Sequence, residues 1–357
     1  MNGPNVVTLS SLTTAQVAVA FTAYVQAALQ EAYDPSEDSI FYTDVARTQG
    51  PDDFTIPDAR LADGELNPFA SLPKTAIFGQ LMPMGPMEQT FGAGSSNPLV
   101  RQAQTIELLP YQKKVHVNRW EFSNDIYRTL AAAPRTLRRV AEKNPDFLVS
   151  SLLQQGNAAA AWFSGATGKN FFDTAIPEDL ASNFTGRTFD NYRTNYPLTA
   201  ANLSKAIAKA AQIRLGDGTP AGVRLDTLVV PSSLMYDADI ATLVGSIVYG
   251  GQNAAPGQPA NTAAQGDNVV YIRKYIKKVV YADVLSDGTA SGDVTWYLLD
   301  SRRFGIGFAR ALAPSYAMQV DPNSASVFND NELRWKVNNY EGADYLLPQY
   351  IQKNRGN

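Results

Sequence analysis

The sequence predicts an α+β fold, on three observations. A long helical pattern fills residues 124–157, the chain before it reads as extended and irregular, and the chain after it reads as compact α/β. The long pattern comes first because the rest is arranged around it. In NDIYRTLAAAPRTLRRVAEKNPDFLVSSLLQQGN, Leu137, Val140, Ala141, Leu148 and Leu152 recur at helical spacing and share a face. Pro134 suits a first helical position and Gly156 a C-terminal stop. Pro145 falls inside the pattern and predicts a kink or a restart with Asn144 as cap. The expected helix is about 20 residues, roughly 30 Å long.

Residues 1–13 read as a leader. Thr13 and Gln16 have capping-box spacing, and Val17, Ala20, Phe21, Tyr24, Val25, Ala28, Leu29 and Ala32 form an amphipathic stripe. That stripe either packs on its own subunit or docks on a neighbouring one. Residues 34–75 are polar and punctuated by proline, the character of an arm that lies on something else. Residues 76–122 combine a Met-, Pro- and Gly-rich run with QAQTIELLP and QKKVHVNRWEFS, in which Val115 and Val117 alternate with Lys114, His116 and Asn118. This predicts a long two-stranded excursion, marginal by itself, held by the body or by another subunit.

Beyond the long helix, Thr199 caps a helix carrying Leu203, Ala206, Ile207 and Ala210, LDTLVVP is a buried-type strand, and SSLMYDADIATLVGSIVYG is a second helix. Residues 250–267 read as a loop. VVYI, KVVYADVL, VTWYLLD and FGIGFAR are strand candidates, with SDGTASGD as a hairpin-type turn. YAMQV, NELRWKVNNYEG and YLLPQYI close the chain as further strands.

Composition removes whole classes of chemistry. The chain has 357 residues, enough for two or three structural units, and 45% hydrophobic content, enough for a core. It has no cysteine, so disulfides, thiolate metal sites and cysteine nucleophiles are out. His116 is the single histidine, on a polar strand face, and is assigned no chemistry. The net charge of −4 disfavours a dedicated nucleic-acid binder, and no apolar run or N-terminal pattern predicts a membrane span or signal peptide. Lys169 after Gly165 and Gly168 lacks the Ser or Thr of a phosphate loop. Asp237, Asp239, Glu178 and Asp179 read as solvated groups, and Arg273, Lys274, Lys277 and Lys278 as a solvated edge or intersubunit ion pairs. Arg135, Arg138 and Arg139 lie on one side of the long helix, either solvated or as an inward-facing basic strip. No catalytic residue, cofactor or metal is assigned.

Several segments, taken in order, carry a resemblance: VHVNRWEFSNDIY, NPDFLVSSLLQQG, NFFDTAIPED, VTWYLLD and FNDNELRWKVNNYEGADYLLPQYIQ. This set resembles the major head subunit of Mu-like phages, a branch of the HK-97 capsid fold, with Ala175 and Ile176 departing from the family's usual residues. The resemblance implies an N-arm with an amphipathic helix (1–75), an extended E-loop hairpin (76–122), a P-domain with the spine helix (123–196), an A-domain (197–310) and a return to the P-domain (311–357). On that reading Met84, Met87, Phe91, Leu99, Ile106 and Leu108 are the E-loop residues laid on a neighbour, and Arg135, Arg138 and Arg139 face the interior. The function implied is a self-assembling icosahedral shell of hexamers and pentamers around double-stranded DNA, in a virion built in a bacterial cytoplasm. The partners implied are further copies, a scaffolding protein, a maturation protease, a portal and a decoration protein, with no membrane. Lys113 and Lys114 are not assigned as crosslinkers. The alternatives are an encapsulin-like compartment shell and a soluble enzyme or ligand-binding protein.

Overall fold

A computed structural model of the chain describes residues 41–53, 74–81, 101–118, 133–157, 169–178, 187–214, 220–235, 275–286, 294–319 and 331–356. In order, these hold helix α1 (Tyr42–Val45) and strands β1 (Ala46–Gln49), β2 (Thr75–Leu81), β3 (Arg101–Glu107) and β4 (Leu109–Asn118). The long helix α2 (Ala133–Gln155) follows, then the short strands β5 (Ile176–Pro177), β6 (Thr188–Phe189) and β7 (Tyr192–Arg193). Next are helix α3 (Ala200–Ala211), strand β8 (Thr227–Pro231) and helix α4 (Ser232–Met235). Strands β9 (Lys278–Ala282), β10 (Thr295–Leu299), β11 (Ile306–Gln319), β12 (Glu332–Tyr345) and β13 (Ile351–Arg355) complete the set. The fold is α+β, as the sequence predicts.

Two sheets organise these elements. The first has four strands in the order β1-β11-β12-β4, and the second five in the order β7-β13-β10-β8-β9. Helix α2 serves both. Its first half buries Leu137 and Ala141 on Val117, Leu333, Trp335 and Val337 of the four-stranded sheet. Its second half buries Val149 and Leu153 against Val229, Tyr297, Leu299 and Ile351 of the five-stranded sheet. The opposite face of that sheet, Leu228, Val230, Trp296 and Leu298, packs on Leu203, Ala206, Ile207 and Ala210 of α3. Covered on both faces, β8 and β10 must be apolar throughout, which explains their unbroken hydrophobic runs. Helix α3 starts where its sequence says, with Thr199 Oγ1 accepting from Asn202 N at 3.2 Å.

The buried seam of α2 is not the predicted stripe. Leu137 and Ala141 are buried as expected, but Val149 and Leu153 carry the second half, Leu148 and Leu152 are half-buried, and Val140 is 41% exposed. The i, i+4 row drifts around a 3.6-residue helix, and here the drift moves the seam from one sheet to the next. Nor does Pro145 end the helix, which runs through it as one element. Proline deprives the carbonyl four residues earlier of its donor. That carbonyl belongs to Ala141, and it accepts instead from Asn339 Nδ2 of β12 at 2.9 Å. Asn144 caps nothing; its side chain donates to Glu341, whose carboxylate also takes Arg310 Nε at 2.9 Å. Replacing Asn339 with alanine should therefore cost about 2 kcal/mol, the price of a buried unpaired carbonyl. Adding Pro145→Ala, which restores an N–H, should recover most of it. Additive losses in a denaturant-melt double-mutant cycle would sink this account.

Other pairings depart from expectation. β3 pairs with β2, whereas β4 pairs along its length with β12, so residues 109–118 belong to the body and not to a ribbon with QAQTIELLP. β1 lies parallel to β11, which brings part of the expected arm into the four-stranded sheet. FGIGFAR and YAMQV are one strand, β11, interrupted by register shifts around Leu312 that accommodate Pro314. β9 and β10 flank β8, so SDGTASGD does not join neighbouring strands of a hairpin. The last strand, β13, inserts between β10 and β7 of the five-stranded sheet. The predicted N-terminal helix, the 250–267 loop, VVYI and most of the second helix lie outside the described residues.

Candidate functional site

The densest constellation of polar groups surrounds the C-terminus of α2. A helix end leaves its last carbonyls without partners. Here Tyr345 Oη donates to Leu152 O at 2.8 Å and Tyr297 Oη to Leu153 O at 3.3 Å. Lys353 Nζ, on β13, donates to Leu153 O at 3.0 Å, Gln154 O at 2.6 Å and Asn157 Oδ1 at 2.8 Å. A cation here also meets the negative end of the helix dipole. Phe172 and Tyr192 close over the ammonium with ring centroids at 5.5 and 5.9 Å. Burial lowers the Lys353 pKa to about 8, with Arg355 adding to the shift. Burial likewise raises that of Tyr345.

The NFFDT segment is fastened to the same place. Phe171 stacks on Tyr345 at 4.3 Å. Asn191 holds the segment, with Nδ2 donating to Phe171 O at 2.9 Å and to Pro348 O at 3.0 Å, while its Oδ1 accepts from Asp173 N at 2.9 Å. Gly156 is needed because a Cβ would fall 2.6 Å from Phe172. On the next turns of α2, Asp146 Oδ1 accepts from Phe41 N at 3.1 Å and Tyr42 N at 2.9 Å, tying in the N-terminal segment.

The buried carboxylates are committed to structure. Asp226 accepts from Ser301 N and Ser301 Oγ, both at 2.9 Å. Asp300 accepts from Arg224 N at 3.0 Å and from Arg302 Nη2 at 3.1 Å. These bonds close turns at the ends of β8 and β10. Burial alone would raise the pKa of Asp190, but Arg193 and Lys209 outweigh it and lower it. Glu178, expected to be solvated, is half-buried and accepts from Arg214 N at 3.3 Å. Lys277 and Lys278 are exposed, as a solvated edge predicts, and pair within the chain with Asp226 and Asp44, while Arg273 and Lys274 lie outside the described residues. Among the described residues no cluster of three metal-ligating side chains occurs and no helix is long and apolar enough to cross a membrane.

The surfaces that another molecule could meet are distinct from this joint. The β2–β3 ribbon stands outside both sheets. Its inner face buries Ala76, Phe78, Ile106 and Leu108 on Ala309, Ala311 and Leu346. Ile106 and Leu108, expected on a neighbour, are therefore covered by this chain's own core. They alternate with Thr105 and Glu107, and it is these, with Thr75 and a 62% exposed Ile77, that face outward. Met84, Met87, Phe91 and Leu99 lie outside the described residues. On α2, Arg135 and Arg139 are exposed and Arg138 is half-buried, and each already has an interaction partner. Val140 and Phe147, the latter 53% exposed, share the solvent side of α2. His116 is exposed on β4, as its alternation predicts.

No family model matches the chain, and no curated protein matches it. Among solved structures it is similar to the procapsid of bacteriophage JBD30, at 17% identity over 97% of this chain and 77% of that one, with a TM-score of 0.44. It is similar to the capsid structure of the cyanophage P-SCSP1u, at 10% identity over 80% of this chain and 84% of that one, with a TM-score of 0.47. It is also similar to a virus-like particle from Pyrococcus furiosus, at 7% identity over 93% of this chain and 97% of that one, with a TM-score of 0.43.

Proposed function

We propose that the chain is the major head subunit of a tailed double-stranded DNA phage, of the Mu-like branch, with an HK-97-type arrangement. Many copies assemble as hexamers and pentamers into a closed icosahedral shell, and the role is structural rather than catalytic. The observation that supports this reading is a convergence. The segments carrying the family resemblance are scattered from NPDFLVSSLLQQG to YLLPQYIQ, yet Leu152, Leu153, Phe171, Phe172, Tyr297 and Tyr345 meet at one joint between α2 and the five-stranded sheet. A shared joint gives those residue types a common physical reason. The ribbon and the outer sheet surfaces are then the parts offered to neighbours, with heterologous contacts that close when the rotation closes. A scaffolding protein, a protease, a portal and a decoration protein are the partners such a shell would use.

The test compares the intact chain with a variant whose residues 82–100 are replaced by a short Gly-Ser linker. Ile106 and Leu108 belong to the core, so a cut must spare them. The intact protein, alone or with neighbouring phage genes, should give regular shells, pentamers or hexamers in negative-stain microscopy and sedimentation velocity. The linker variant should melt like the intact subunit and form no shell. Intact protein that stays monomeric with the scaffold present would overturn the proposal.

A further inference from the structure

Two of the four large apolar side chains exposed among the described residues, Val140 and Phe147, belong to α2. Apolar surface gains by leaving water, so this strip favours a cover. At about 100° per residue, Lys143, Phe147 and Val140 stand roughly 60, 100 and 120° round the helix from Asp146. Asp146 itself is buried against the subunit. Arg135, Arg139 and Lys143 follow each other at four-residue spacing and make a basic row on the Asp146 side of the apolar pair.

The N-terminal segment of the same chain arrives at this edge. Phe41 N and Tyr42 N both donate to Asp146 Oδ1, at 3.1 and 2.9 Å. What precedes them matches the strip in kind. Val17, Phe21, Tyr24, Val25, Ala28 and Leu29 form the apolar stripe read from the sequence. Residues 1–40 contain no lysine or arginine, and their acids, Glu31, Asp34, Glu37 and Asp38, lie between that stripe and Phe41. Apolar residues can therefore meet Val140 and Phe147 while the acids meet the basic row.

Reach within one copy is ample. The chain from Tyr33 to Phe41 extends to about 28 Å at most. Val140 lies only about 9 Å along the helix axis from Asp146. Two considerations select the chain's own segment over a second copy. A strip with two exposed apolar side chains is far smaller than the roughly 1,200 Å² that stable association of separate molecules buries. A segment tethered beside it arrives at an effective concentration of about millimolar, with no separate encounter to drive.

We infer that residues 13–33 form a helix that folds back on its own subunit and lays its apolar stripe over Val140 and Phe147, with Glu31–Asp38 running beside Arg135, Arg139 and Lys143. The contact lies within one chain, so it needs no neighbour and does not depend on the shell reading.

The chain has no cysteine, so engineered pairs report proximity without background. Phe147→Cys is combined in turn with Phe21→Cys, Val25→Cys or Leu29→Cys on the stripe, and with Gln26→Cys or Gln30→Cys off it. The full chain is oxidised with diamide and run on denaturing, non-reducing gels, which read free subunits and shells alike. At least one stripe pair should close within a chain, seen as a faster-migrating monomer and mapped by mass spectrometry. The Gln26 and Gln30 pairs should close far less. Arg139→Glu/Lys143→Glu should lower the stripe yield, and Glu31→Lys/Asp34→Lys added to it should restore the loss. Linked dimers in place of closed monomers assign the strip to a second copy and overturn the inference. Equal closure on and off the stripe overturns it too, as does no closure in variants that melt like the intact protein.

Discussion

Lys353→Met should lower the unfolding free energy at pH 7 by about 2–3 kcal/mol, the cost of buried acceptors left without a donor. Methionine keeps most of the length and the apolar stem, so the loss isolates the ammonium. Two effects oppose each other at this lysine, which is only 6% exposed. Burial penalises the charge, and the pKa near 8 records that penalty. The acceptors Leu153 O, Gln154 O and Asn157 Oδ1 reward it. At neutral pH the proton stays on. The pH dependence then has a definite sign. The unfolded lysine holds its proton to its ordinary value of 10.5, and the folded one releases it near 8. Between those values the unfolded state binds more protons, so this residue's contribution to stability rises with pH, by at most about 3 kcal/mol. The gap between the intact protein and Lys353→Met should thus widen from pH 7 to about 10 in chemical denaturation. A gap that stays flat would show that Lys353 does not titrate in that window.

Gly342→Ala should cost about 3 kcal/mol or more, the upper range for overpacking, because the obstacle is backbone. β12 passes beneath the ribbon at this glycine, and an added Cβ would lie 2.1 Å from Glu107 O, with Ile106 Cγ2 at 3.3 Å. Glu107 cannot simply move aside, since it pairs with Thr75 and the next residue donates Leu108 N to Lys74 O at 2.9 Å. The ribbon base must lift, which weakens the burial of Ala76, Phe78, Ile106 and Leu108. A lowered melting temperature with faster amide exchange in Ala76–Phe78 is expected. Gly50→Ala, where a Cβ meets nothing within 4 Å, should leave both unchanged. An unshifted melt for Gly342→Ala would mean that the crossing relaxes at little cost.

What the sequence discloses here follows the range of the forces involved. Helix α3 and strand β8 are written locally, in the Thr199 cap and in an apolar run, and both are found where they are read. The existence of α2 is equally local. Its buried seam and its passage through Pro145 are not, because they depend on two sheets and on Asn339, which lies far along the chain. Pairing is the least legible level. The alternation of Lys114, Val115, His116 and Val117 declares a strand but says nothing of β12 as its partner. The candidate surfaces divide in the same way. Residue type suggested that Ile106 and Leu108 would be sticky, and they are, toward their own core. Lys353 gave no signal at all, since a lone lysine among polar neighbours reads as solvated until the carbonyls around it are seen.

The order in which these pieces leave the ribosome matters. β1 waits for β11, β4 for β12, and the C-terminal carbonyls of α2 for Lys353. These pairings join early chain to late chain, and such long-range closures raise contact order and slow folding. Through most of synthesis the apolar seam of α2 has no partner, and such exposed surface favours aggregation. The four-stranded sheet closes only when β12 is released, and the five-stranded sheet only when β13 is. A chain cut short of either strand should leave part of the α2 seam uncovered, so truncation carries its own signal in exposed apolar surface.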